Sequence, residues 1–185
     1  MSISRKNFYD IVRKEFGSLK QSQVDGMEAV LNEWEASGLS DLRWLAYMLA
    51  TDYHETAATM QAIEEYGKGK GRPYGKPAAN GKIFYGRGLV QLTWDYNYKK
   101  MGKILGVDLY NNPELALKMD IAVKIMFEGM TTGKSFAGDF TGKHLGNYFN
   151  KTKEDWINAR RIINGTDRAS LIASYGKSFY LALTS

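Results

Sequence analysis

The chain contains no cysteine, only two histidines (His54 and His144) and only three prolines. Without cysteine there is no disulfide, no thiol nucleophile and no cysteine-based zinc site. Two isolated histidines do not make a histidine-rich metal centre, so no metal and no cofactor are expected. Apolar runs are also short. None approaches the 18 residues of a membrane span, and the basic start MSISRKNFYDIV lacks the apolar core of an export signal. The expectation is a protein with no stable membrane insertion and no export address of its own, held in the cytoplasm until release.

What is present is ordinary for a folded protein: 44% hydrophobic residues and 24% charged ones over 185 residues. That length suits one domain, residues 1–185, with no separate wall-binding module, folding as a monomer with a substantial core. Lysine and arginine exceed aspartate and glutamate by 25 to 20. The excess favours polyanionic surroundings without choosing among nucleic acid, lipid and cell wall.

The patterning is mainly α. Phe8, Ile11, Val12 and Phe16 are helically spaced, as are Val24, Met27, Leu31 and Trp34, a segment ended by Gly38. Ser40 is expected to cap a third helix over 41–59, with Leu42, Leu45, Met48 and Leu49 on one face. Residues 67–88 break the pattern. They hold seven of the nineteen glycines and two of the three prolines, with six basic residues and no acidic one. This predicts a long irregular loop with a short strand at IFY, of a length usually tied to function. Helical spacing resumes over 93–105 and from Pro113 to Met130. A polar stretch over 131–142 follows, then two helices near 156–163 and 168–183.

Carboxylates are the candidates for chemistry. Glu55 lies about 700° past Met48, within about 20° of two full turns, and so continues the apolar stripe. A carboxyl among apolar neighbours is harder to ionise, which suits a general acid; the plain alternative is a buried Glu paired with Arg or Lys. In a straight helix Glu64 would sit about 180° from Glu55, and Glu65 about 80° off but some 15 Å along the axis. A break near Met60 would let either fold back across a cleft.

Four segments carry a specific resemblance: HET at 54–56, FYGRGLVQLTWDYNY at 84–98, LGVDLYNNPEL at 105–115 and ARRIINGTDRA at 159–169. In this order they resemble glycoside hydrolase family 19, the chitinases and related peptidoglycan-cleaving enzymes. The opening LKQSQVDGMEAVLNEWE and the DWINARRIING run are closer to compact phage and prophage endolysins. The resemblance implies a lysozyme-like, two-lobed helical fold with at most a very small β element beside the cleft. It also implies inverting hydrolysis of a β-1,4-linked N-acetylated glycan, which needs an acid and a base roughly 6.5–9.5 Å apart. Peptidoglycan is the favoured substrate and chitin the alternative.

Carried over by position, Glu55 is the acid and Glu65, with Glu64 as rival, the base. Thr93 holds the attacking water, and Gln91, Tyr96, Asn97 and Asn164 contact sugar. Of Tyr96 and Tyr98, one is expected in the core. His54 is expected to pack or to orient a neighbour. Three other readings remain open. The KGKGRPYGK loop invites a nucleic-acid role but is no Walker loop, so no specific nucleic-acid partner is expected. A lytic transglycosylase would work with one acid and leave an anhydro product. A catalytically inactive wall-binding protein would retain the fold alone.

Overall fold

A computed structural model describes residues 2–131 and 140–185. The expected polar stretch over 131–142 lies mostly outside them. Among the described residues six α-helices, α1 (Arg5–Phe16), α2 (Gln21–Ser37), α3 (Leu42–Glu55), α4 (Asp95–Leu105), α5 (Met119–Met130) and α6 (Ala169–Thr184), form a core centred on α3. The only sheet among the described residues is one antiparallel pair, β1 (Ile63–Glu64) and β2 (Arg87–Gly88). The mainly helical expectation with a very small β element holds.

Helix α3 explains the arrangement. Its residues from Leu45 to Asp52 are all buried, so no face is left for solvent and the other helices must cover it. Helix α6 is its main partner, with α2 and α5 on its flanks. Each fully buried Leu or Met there contributes about 1.5–3 kcal/mol. Asp41, not Ser40, caps the helix, its carboxylate accepting from the Arg43 N–H at 3.1 Å.

The helix also ends four residues earlier than its pattern suggested. Thr56 closes it, and Ala57, Ala58 and Met60 take positive φ values of 51°, 65° and 55°. The Thr56 hydroxyl donates to the Asp52 carbonyl at 2.7 Å and accepts from the Met60 N–H at 3.1 Å. This tight turn is driven against α2 at Gly26. A Cβ at that position would lie 1.7 Å from the Met60 carbonyl oxygen, so only glycine lets the chain cross. The turn sends β1 back toward the loop that follows.

Other boundaries differ for similar local reasons. The strand falls at Arg87–Gly88 rather than at IFY, because Phe84 and Tyr85 pack inward instead of pairing. Pro113–Leu117 and Asn158–Ile162 form 3-10 turns, and α5 begins only at Met119. Helix α4 starts at Asp95, two residues later than expected. Arg87 organises the loop from within. Its buried guanidinium donates to the Ile83 and Tyr85 carbonyls and to the Tyr98 hydroxyl, and stacks 3.6 Å from the Tyr85 ring centroid.

Candidate active site

A cleft of about 390 Å³ opens where the end of α3, the start of α4 and the 3-10 turn before α6 converge. Glu55 lines it from the end of α3, Ile163 and Asn164 from the turn before α6, Gln91, Thr93, Trp94, Tyr96 and Asn97 from the start of α4 and the segment before it, and Tyr74 from the glycine-rich loop. Thus Glu55, Thr93, Gln91, Tyr96, Asn97 and Asn164, all singled out in the sequence, meet in one cavity. Glu64 and Glu65 are not among the residues lining it.

Glu55 is not isolated among apolar groups, as its helical phase suggested. Its Oε1 lies 2.6 Å from Nη1 of Arg160, a side chain only 3% exposed, while Glu55 itself is 16% exposed. Arg160 Nε donates to the Asp167 carbonyl at 3.0 Å, which fixes the guanidinium plane. Only Oε1 is engaged among the described residues, leaving Oε2 for a ligand in the cleft. The paired-carboxylate alternative is therefore realised, and it does not remove Glu55 from the cavity. Arg160 was missed by sequence reasoning, although it lies inside a quoted motif. No local pattern ties it to a residue 105 positions away.

Glu64 ends β1 and Glu65 follows it with its N–H on the Gly86 carbonyl at 2.7 Å, and successive residues of such a chain point to opposite faces, so the two glutamates diverge. Glu64 accepts from Tyr85 Oη at 2.7 Å and pairs with Lys68 at 2.8 Å. The Lys68 ammonium, helped by the Tyr85 hydroxyl, holds its carboxyl below the usual range. Glu65 accepts from Tyr74 Oη at 2.8 Å and from the Gly86 N–H at 3.0 Å. Since Tyr74 lines the cleft, Glu65 is one hydrogen bond from the cavity wall.

The other groups combine structural and ligand-facing atoms. Thr93 Oγ1 donates to the Gln91 carbonyl at 2.8 Å, so its hydroxyl is oriented and its lone pairs remain to accept from water. It does not cap α4; Trp94 occupies that position. Gln91 spends both amide hydrogens on the Ile63 and Gly88 carbonyls, each at 3.1 Å. It is a clamp between the strands first, with only Oε1 left for a sugar. Asn97 Nδ2 donates to the Thr93 carbonyl, whereas Asn164, whose backbone N–H is held by the Arg160 carbonyl, has no side-chain partner among the described residues.

Tyr98 is buried and Tyr96 is 57% exposed, which divides the two tyrosines as anticipated. Trp94 was not anticipated. It holds a φ of 74°, which non-glycine residues rarely adopt and which costs on the order of 1–3 kcal/mol. Its ring is 37% exposed, stacks on Tyr96 at 6.0 Å and meets Tyr74 edge-on at 5.4 Å. Such exposed ring faces suit the C–H faces of sugars. His54 is half-buried beside Glu55, and burial pushes its pKa down. Among the described residues no cluster of side chains could hold a metal ion.

Residues 49–135 match the model of the glycoside hydrolase 19 family described as chitinase class I. A crystal structure of a bacterial family 19 chitinase aligns over 99% of this chain and 95% of its own, with 27% identity and a TM-score of 0.62. Basic endochitinase B of Arabidopsis thaliana is 44% identical over 66 residues, 36% of this chain and 15% of that protein. Inactive chitinase-like protein 1 of Hevea brasiliensis is 59% identical over 39 residues, 21% of this chain and 12% of that one. The chain thus matches under a fifth of the length of these plant relatives. Segment and fold both bear out the family 19 resemblance read from the motifs. The Hevea protein shows that identity across a short segment does not by itself carry activity.

Proposed function

We propose that this family 19-type chain is a glycoside hydrolase that cleaves the β-1,4 links of an N-acetylated glycan of the chitin type, with inversion. The observation that carries the reading is Glu55: a carboxyl anchored through one oxygen by Arg160, with the other free in a cleft walled by aromatic rings and amides. Oε2 is the atom that delivers a proton to the leaving oxygen. Glu65 serves as base on the opposite side, reached past Tyr74, and takes the proton of a water held by Thr93 Oγ1. Water attacks the anomeric carbon as the glycosidic C–O bond breaks, so one displacement inverts that carbon. Asn164, Asn97 and Gln91 Oε1 offer hydrogen bonds to acetamido and hydroxyl groups.

Peptidoglycan is a second reading, favoured by the cationic loop beside the cleft, because chitin carries no charge for that loop to meet. In that case the protein acts on the wall after release from the cytoplasm. Incubation with chitin oligomers and with purified sacculi, followed by mass spectrometry, tests both. Hydrolysis gives products that have gained water and carry a reducing end. Anhydro ends would mean a lytic transglycosylase, and no product from either glycan would mean a binding protein.

A further inference from the structure

The loop over 67–88 contributes more than Tyr74. A second cavity, of about 280 Å³, shares Tyr74 and Trp94 with the catalytic cleft as a common wall. Its remaining lining is Pro73, Pro77, Ala78, Ala79 and Phe84, with the charged residues Lys76 and Asp95. Asp95 is engaged by Lys99 at 3.4 Å. Lys76 has no ion pair among the described residues, and neither do Lys70, Arg72 or Lys82 on the same loop. Between Tyr66 and Trp94 the chain has no acidic residue at all.

These features are chemically selective. Proline and alanine walls offer methyl and methylene contacts and no side-chain hydrogen bonds, and the prolines restrict the local backbone. A cation stands at such a wall with no internal partner. A ligand for this cavity therefore combines short, methyl-rich groups with a carboxylate. A ligand that fills this cavity and the cleft together passes over Trp94, which lines both, as a branch on a sugar lying against that ring would. An unsubstituted N-acetylglucosamine polymer has no such branch. A sugar bearing an acidic acyl-peptide does.

We propose that this second cavity is a specificity site for the lactyl-peptide stem of peptidoglycan, with Lys76 as the carboxylate partner. The proposal rests on the peptidoglycan reading above and names what would make the cleft prefer that glycan. The stem crosses the Tyr74–Trp94 edge, its methyl groups pack on Ala78 and Ala79, and its carboxylate meets Lys76. Arg72 adds positive potential nearby, an effect weakened by salt.

The test uses the full chain on three substrates: glycan strands with stems intact, the same strands after amidase removal of the stems, and N-acetylglucosamine oligomers. The wild-type protein is expected to have a higher kcat/KM on stem-bearing than on stripped strands. Lys76→Glu reverses the charge, and Ala79→Trp fills the cavity from an exposed position. Lys76→Glu should lower the ratio of stem-bearing to stripped kcat/KM by about two- to fivefold, the scale of one partly exposed ion pair, and Ala79→Trp should lower the same ratio by closing the cavity.

Calorimetric titration of a stem-bearing disaccharide, with the stem-free disaccharide as control, reads the same preference without turnover. An unchanged ratio and unchanged binding in both variants would overturn the proposal. So would a loss that follows removal of wall phosphate polymers instead of stems. Cleavage of stripped strands with no preference for stems would overturn it while leaving the hydrolase reading intact. No product from any of the three, with stem-specific binding retained, would sink the hydrolase reading and keep the specificity site.

Discussion

Arg160 and Glu55 are 105 positions apart in sequence and 2.6 Å apart in space, where they join the turn before α6 to the end of α3. The contact fixes one carboxyl oxygen and leaves the other toward the cavity. Arg160 is thus a positioning residue for Glu55. Arg160→Lys retains a cation, but a lysine cannot hold both Glu55 and the Asp167 carbonyl in one plane. It should lower kcat more than it raises KM and shift the alkaline limb of the pH–rate profile, the side on which a general acid loses its proton. Arg160→Met should also destabilise the fold by about 3 kcal/mol in denaturant titration, the low end for a broken buried pair because Glu55 is partly exposed. Equal loss of kcat and stability in both variants, with no change in pH profile, would reduce Arg160 to a structural strut.

Glu55→Gln keeps shape and loses the transferable proton. Turnover should fall by about 10²–10⁴-fold, with glycan binding retained. Near-normal clearing of chitin oligomers by this variant would remove Glu55 from the mechanism.

The two adjacent glutamates separate cleanly. Glu65→Gln should abolish most turnover, whereas Glu64→Gln should act mainly by loosening Tyr85 and Lys68. The reverse outcome, read from kcat on the same oligomers, would move the base to Glu64. Thr93 is tested alongside: Thr93→Ser should remain active, and Thr93→Val should lower kcat more than substrate affinity.

Asp52 supplies a prediction about pH and stability. Both its carboxyl oxygens are buried without a hydrogen bond among the described residues, because the Thr56 hydroxyl donates to the Asp52 backbone carbonyl instead; burial pushes the carboxyl's pKa well above the usual range, opposed only in part by that nearby hydroxyl. A carboxyl whose folded pKa is raised favours the fold fully below its unfolded pKa of about 4, and that contribution is lost as pH rises toward the folded value. Asp52→Asn cannot ionise. The difference in Tm between Asp52→Asn and wild type should therefore move in favour of the variant from about pH 4 upward. A difference that stays flat with pH would mean that Asp52 is not buried in its neutral form.

The sequence disclosed some of this arrangement and hid the rest for physical reasons. Helices with one apolar stripe, such as α1 and α2, were readable because their periodicity is their packing. The end of α3 was not, because it is imposed by Gly26 of α2 meeting Met60, a tertiary contact that overrides a continuing helical pattern. The lining of the cleft came from motif resemblance, and Gln91 turned out to be tied mainly to backbone. Trp94 escaped notice because its exposure depends on an unusual backbone conformation rather than on spacing. The division of Glu64 from Glu65 needed the strand, which two residues of sequence could not announce.

The most direct test of the two-carboxylate account is the configuration of the first product. Proton NMR of a β-1,4-linked N-acetylglucosamine oligomer, recorded within the time before mutarotation, reads the newly formed reducing end. A single displacement by water held near Thr93 and activated by Glu65 gives the α-anomer first. Initial appearance of the β-anomer would mean two displacements and would contradict the assignment of a separate base.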